Sequence, residues 1–183
     1  MFALIQPFIN VLLFRAGPQD MQASTSMLKF TLVACFLTDI IGASSTLGLS
    51  TSMVLSAGQI ALLGLFVFLL LKINKKEERW LQTLVALFGA LAIINLATYP
   101  FLRNLNLFSD GKLVLTGSLM IVAALQLWFF IVMARILKDA LEVRMARAVL
   151  LTFLIINIVP MVLSMLVGAL GLTPGIVDGS TGL

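Results

Sequence analysis

MLKFTLVACFLTDIIGASST, residues 27–46, is a run of mainly apolar residues that is long enough to cross a lipid bilayer as an α-helix. One carboxylate, Asp39, lies within it. At a rise of about 1.5 Å per residue, Asp39 is about 18 Å along the helix from Met27 and therefore inside the hydrocarbon core. An ionised carboxylate there costs several kcal/mol, so we expect its side chain to face a bundle interior or a water-filled cavity.

Apolar stretches of this kind occur four more times along the chain. They cover residues 51–73, 80–99, 113–136 and 148–170, and a connection rich in Ser, Thr and Gly at residues 44–52 separates the first two spans. The sequence is 61% hydrophobic and 11% charged, with a mean hydropathy of +1.13, whereas soluble domains carry about 25% charged residues. These features predict an all-α integral membrane bundle of five transmembrane helices and exclude an ordinary soluble domain.

A shorter apolar segment precedes the first span. Residues 1–14 fall short of the roughly 20 residues that a spanning helix needs. We predict a short interfacial helix that begins at Pro7, with Phe8, Ile9, Leu12 and Leu13 on one side. The domain organisation is then a cytoplasmic interfacial helix and turn at 1–26, a transmembrane domain at 27–172 and a disordered tail at 173–183.

Basic residues are distributed unevenly between the two ends of the spans. Of the 12 Lys and Arg residues, the five spans place all except Arg103 and Lys112 on one side. The positive-inside rule then puts the N-terminus in the cytoplasm and the C-terminus outside. We predict a multi-pass protein of the bacterial inner (cytoplasmic) membrane. Since the net charge of +4 comes from residues that flank the spans, we expect contact with membrane lipids and no nucleic-acid partner.

Asp39 belongs to a stripe of small and polar residues on the first span. Small residues allow membrane helices to approach closely, so we expect this stripe to pack inside the bundle. Phe36 and Ile40, on other sides of the helix, are expected to be more exposed to lipid. The stripe consists of Thr31, Cys35, Asp39, Gly42 and Thr46.

Three interpretations of Asp39 remain open. It is a hydrogen-bonded or protonated acid that joins two helices, a proton or cation site, or a residue of a water-filled vestibule without a further role. No Lys, Arg or His lies deep in any span, so its partners are expected to be neutral. The candidate intramembrane polar site comprises Asp39, Gln59, Asn95, Tyr99, Gln126 and Asn157.

Residues that support catalysis or metal binding are scarce. The sequence has no His and a single Cys, Cys35, which removes the commonest acid–base catalyst and the commonest metal ligand. It also has no glycine-rich phosphate loop and no nucleophile elbow. We therefore predict that the protein is not an enzyme, and we predict no catalytic residue, metal or cofactor.

The segment RAGPQDMQAS, residues 15–24, leads into the first span. Together with the five-span layout, it resembles bacterial relatives of the Yip1 family over most of the chain. The resemblance implies a membrane-embedded helical bundle that acts through protein or lipid partners and not through catalysis. It maps no functional residue onto this sequence, which lacks the Gly- and Tyr-rich signatures of eukaryotic members.

Two functional hypotheses follow from these features. The first is a non-enzymatic, Yip1-like structural or assembly component of an inner-membrane protein complex, with a membrane-protein partner or a second copy of the chain bound to it. The alternative is a channel or transporter subunit that passes protons or cations by way of Asp39.

Overall fold

The computed structural model of the chain describes residues 2–102, 108–109, 112–113 and 117–169. These residues form six α-helices, two short 3-10 helices at Pro18–Asp20 and Glu77–Arg79, and one pair of two-residue strands. In chain order the α-helices are α1 (Phe2–Leu12), α2 (Thr25–Leu47), α3 (Leu49–Ile73), α4 (Trp80–Leu102), α5 (Gly117–Leu141) and α6 (Met145–Ala169). Helices α2 to α6 are each long and apolar enough to cross a membrane, which confirms the predicted all-α membrane bundle.

Each predicted span coincides with one helix, and the largest differences are in α5. It begins at Gly117 and not at 113, and it extends to Leu141 and not to 136. The start is later because residue 113 belongs to a strand: β1 (Phe108–Ser109) pairs antiparallel with β2 (Lys112–Leu113). The remainder of the loop 103–112 and the whole predicted tail 173–183 lie outside the described residues.

Gly48 alone connects α2 to α3. Its φ of +77° lies in the left-handed region, which residues with a Cβ atom disfavour. The longer connection that the composition of residues 44–52 predicts is wrong, because both helices continue up to Gly48. At the start of α3 the backbone N–H and the hydroxyl of Ser52 both donate to the Gly48 carbonyl, at 3.1 and 2.6 Å. The sharp reversal brings α2 and α3 side by side.

Helix α4 lies at the centre of the bundle. Residues 83–92 are buried without interruption, and 61% of its most apolar stretch is buried, against 17–28% in the other four spanning helices. All five spanning helices are apolar enough to lie in lipid, so hydropathy alone does not select the central one. Helices α2 and α5 flank α4 most extensively and α1 covers a further part of it, while α3 and α6 complete the ring between α2 and α5.

Helix α1 packs against α4 through one side. Phe8, Val11 and Leu12 are buried on that side. The ring of Phe8 lies directly over Gly89, where an added Cβ atom would overlap it. The absence of a side chain at Gly89 therefore lets α1 approach the middle of the central helix.

The start and the orientation of α1 differ from the prediction. The helix begins at Phe2, so Pro7 lies inside it and not in its first turn. Ile9 and Leu13, which the sequence pattern places beside Phe8, are exposed together with Ile5. Because both sides of α1 are apolar, periodicity does not decide which side meets the protein. The apolar outer side suits contact with lipid.

Ion pairs join the turn between α3 and α4 to the turn between α5 and α6. Lys76 Nζ donates to Glu142 Oε2 at 2.6 Å, and Arg79 Nη2 lies 2.7 Å from Glu142 Oε1. The hydrogen bonds from Lys76 and Arg79 hold the pKa of Glu142 below its usual value. Arg79 also donates to the Asp139 carbonyl at 3.4 Å. One end of the bundle is therefore held by charged groups that lie outside the apolar spans.

Candidate functional site

Asp39 is held inside the bundle by a residue of the central helix. The side-chain nitrogen of Asn95 on α4 donates a hydrogen bond to Asp39 Oδ1 on α2. The other carboxylate oxygen, Oδ2, is buried and has no hydrogen-bond partner in the part of the chain that the structure describes. The carboxylate is therefore only half satisfied, which is costly in an apolar environment.

The stripe that contains Asp39 turns inward for part of its length. Thr31 and Cys35 are fully buried, while Asp39 and Gly42 are half-buried; the side chain of Thr46 lies outside the described residues. The Thr31 hydroxyl donates to the Leu28 carbonyl of its own helix at 3.0 Å, so it does not reach across to Asp39.

The lipid-facing side of α2 differs from the prediction. Phe36 and Ile40 are half-buried, as is Gly42, so they are not the most exposed residues of the helix. Helix α2 packs against α4 on one side and against α3 on another. Two neighbouring helices leave a narrower exposed face than a single neighbour would leave. The exposed large residues of this helix are Phe30, Val33, Leu37 and Ile41.

A small cavity of about 240 Å³ adjoins Asp39 between α2, α4 and α5. Besides Asp39, its polar walls are Thr38, Asn95, Thr98 and Gln126. The hydroxyls of both threonines donate to carbonyls of their own helices, Thr98 to Ile94 at 2.6 Å and Thr38 to Cys35 at 2.9 Å. Side-chain oxygens from three helices therefore surround a space that can hold a few water molecules or a hydrated cation.

A larger cavity of about 530 Å³ lies between α3, α4, α5 and α6. Each of these helices contributes one amide side chain to its wall, and the remaining lining is apolar. The four amides are Gln59, Asn95, Gln126 and Asn157. Asn95 and Gln126 line both cavities, so the two cavities adjoin at these residues. Asp39 lines only the smaller one.

Five of the six predicted site residues thus lie together around two adjoining cavities. Tyr99 is the exception, because it is half-buried on α4 and lines neither of them. Among the described residues, only Asn95 contacts Asp39 by a hydrogen bond; the side-chain nitrogen of Asn157 donates instead to the Phe153 carbonyl at 2.7 Å. The structure therefore separates the residues into one bonded pair and a set of amides on the larger cavity.

The aromatic part of the larger cavity was not among the predicted site residues. Phe129, Phe130 and Phe153 line it. Phenylalanine occurs in every span of this sequence, so no signal in the sequence distinguishes these three rings. Thr98 was not among the predicted site residues either, although it follows Asn95 by three residues on the same side of a helix.

The charges around the site have a simple distribution. Among the described residues that line the two cavities, Asp39 is the only acidic or basic one. The described ion pairs involve residues at one end of the bundle, and none of them includes Asp39. The larger cavity is therefore suited to a neutral group, and the smaller one to a proton, a cation or water.

The chain was also compared with known proteins. No family model, no curated protein and no solved structure matches it.

Proposed function

We propose that the protein is a non-enzymatic structural or assembly component of a protein complex in the bacterial inner membrane, similar to proteins of the Yip1 family. The observation that carries this proposal is the first half of α5, residues 117–128, in which no residue is buried; we call it the exposed half. We infer that a transmembrane helix of another subunit, or of a second copy of the chain, covers it.

The burial of α5 changes abruptly along its length. None of residues 117–128 is buried, whereas eight residues from Phe129 to Leu141 are. Helix α6 beside it is buried on one side from Ala148 to Val167. Both helices are apolar throughout, so hydropathy does not explain the difference. The neighbouring helices therefore cover the second half of α5 more completely than its first half.

The exposed half has the composition of a helix-packing surface. Ala123 and Ala124 are exposed there, next to the exposed amide of Gln126. Small residues and amides promote association between membrane helices, because they permit close approach and hydrogen bonding. Lipid can cover the exposed Met120 and Leu127. A partner helix can cover these residues as well, and it can also pack closely against the two alanines.

Photocrosslinking tests this proposal. A benzophenone amino acid at Ala124 should give an adduct with a polypeptide in intact membranes, and mild-detergent purification with mass spectrometry identifies that polypeptide. Ala61 is the matched control, since it is an exposed alanine in the middle of α3. Adducts with lipid alone at Ala124, as expected at Ala61, would contradict the proposal.

The passage of protons or cations is supported by a different observation. Asp39 Oδ2 has no partner within the described residues and lies beside a cavity whose other walls offer amide and hydroxyl oxygens. Such a group is able to exchange a proton or bind a cation. Flux across vesicles that contain the purified chain tests this function: it should be present in the native chain and abolished in Asp39→Asn.

A further inference from the structure

We propose that the larger cavity is a binding site for a neutral, lipid-like small molecule with an apolar body and a carbonyl or hydroxyl head. Such a ligand would enter from the bilayer between α5 and α6. This inference concerns a small-molecule site and does not depend on a protein partner.

The size of the cavity suits a small amphiphile. Its volume of about 530 Å³ is within the range of about 300 to 1,000 Å³ that is usual for ligand sites. Since one water molecule takes up about 30 Å³ in the liquid, the space holds about 15 to 20 non-hydrogen atoms. A ring or a short chain with one polar head has this size, whereas a whole diacyl phospholipid does not.

The polar groups of the wall select the head of the ligand. The side chains of Gln59 and Gln126 make no hydrogen bond with any residue that the structure describes. Both lie near the middle of their helices, where no bulk water is available to them. An amide both donates and accepts, so a carbonyl or hydroxyl oxygen can satisfy it. An anionic or cationic head is disfavoured, because none of the described residues that line this cavity carries a charge.

The apolar groups of the wall select the body. Phe129, Phe130 and Phe153 contribute aromatic rings, and Met133 contributes a flexible thioether. Rings and methionine adapt well to an apolar guest. A fully polar solute would leave these surfaces unsatisfied, so the guest must be amphiphilic.

The cavity reaches the outer surface of the bundle on the side of α5 and α6. Of its lining residues, Leu127, Phe153 and Ile156 are among the exposed large apolar residues, and Gln126 and Asn157 are exposed beside them. Gln59 and Asn95, from α3 and α4, are more deeply placed and half-buried. A molecule dissolved in the bilayer can therefore enter sideways and meet an amide at the deep end.

Photolabelling of the purified, full chain in lipid vesicles tests the proposal. The probe is a fatty alcohol that carries a diazirine; the comparison probes are a diazirine alkane of equal length and the corresponding fatty acid. We expect the alcohol to label cavity residues such as Phe130 and Phe153, and unlabelled alcohol to suppress that labelling. This competition uses the unaltered chain and so does not depend on the folding of a variant.

Substitutions then test whether Gln59 forms a hydrogen bond with the head of the ligand. Gln59→Leu should lower labelling of the cavity about two- to tenfold, the range of one neutral hydrogen bond. Gln82→Leu is the matched control, because it removes an amide near the start of α4, away from the cavity, and should leave labelling unchanged. Melting curves of both variants verify that they fold.

Four results would overturn the proposal. They are equal labelling by the alkane, stronger labelling by the fatty acid, labelling that excess alcohol does not suppress, and labelling that a folded Gln59→Leu variant retains in full. A photoreactive residue at Phe130 that captures a polypeptide in membranes, without capture of a lipid-like molecule, would also overturn it.

Discussion

Asn95 of α4 donates a hydrogen bond to Asp39 of α2, and this bond links the two helices that pack together most extensively in the bundle. The acceptor is Oδ1, while Oδ2 stays unbonded among the described residues and is buried beside a cavity. The same carboxylate thus has one oxygen that holds the fold together and one that is free for other chemistry.

Substitutions at Asp39 separate the two roles. Asp39→Asn keeps an oxygen that accepts from Asn95, so the thermal midpoint in detergent should change little. Asp39→Leu leaves the Asn95 amide unpaired inside the bundle and should cost about 1 to 3 kcal/mol. If Asp39→Leu melts like the native chain, the hydrogen bond is not a structural link. If Asp39→Asn folds normally but loses ion flux in vesicles, the free oxygen is the functional one.

Gly89 is predicted to be intolerant of even one added methyl group. Gly89→Ala puts a Cβ into the ring of Phe8, and overpacking of this kind costs about 1 to 3 kcal/mol. Because α1 is peripheral, hydrogen exchange should show increased opening of residues 5–12. Phe8→Ala in the same chain should remove most of the effect of Gly89→Ala, since the two residues are in direct contact.

Gly64 provides the control for that experiment. A Cβ there meets Phe88 Cζ at 3.8 Å, an ordinary van der Waals distance. Gly64→Ala should therefore be neutral or stabilising by up to about 1 kcal/mol, the helix preference of Ala over Gly. Equal destabilisation by Gly64→Ala and Gly89→Ala would show that the Phe8 contact is not the cause.

The ion pairs of Glu142 should stabilise the bundle at neutral pH and not in acid. Its folded pKa is lowered from 4.5 by the hydrogen bonds from Lys76 and Arg79. A carboxyl with a depressed pKa contributes stability above its unfolded pKa and loses it as the pH falls through the folded value. Glu142→Gln should therefore melt earlier than the native chain at pH 7, by a small margin because the pair is exposed. The gap between the two melting temperatures should narrow as the pH is lowered from 7 towards 3; a gap that widens in acid would contradict this.

Topology is testable by thiol labelling, because the native Cys35 is completely buried. Asn74→Cys, in the turn after α3, should react with an impermeant reagent only after the membrane is opened. Ser109→Cys, in β1, should react from outside in intact cells. These outcomes follow from the placement of basic residues, and labelling of position 74 from outside would reverse the orientation of all five spans.

The sequence alone predicted much of the site as a set of residue types. Asp39, Gln59, Asn95, Gln126 and Asn157 are polar residues within apolar spans, and polar groups in a membrane must face protein, water or ligand. It did not predict that Asn95 would be the partner of Asp39, or that Tyr99, one turn further along α4, would lie apart. Two residues on the same face of a helix can have different neighbours, because these depend on how the adjacent helix is rotated and shifted along its axis.

What the sequence by itself determined is the class of the molecule and the extent of its spans. Each stretch of apolar residues in lipid must satisfy its own backbone hydrogen bonds and therefore forms a helix. Only the tertiary structure decided that α4 is central, that Phe8 and not Ile9 meets the bundle, and that four amides from four helices surround one cavity. Apolar residues cover every side of these helices, so hydropathy is the same in all directions. Close contacts such as Phe8 on Gly89 select one arrangement, and they depend on residues far apart in the chain.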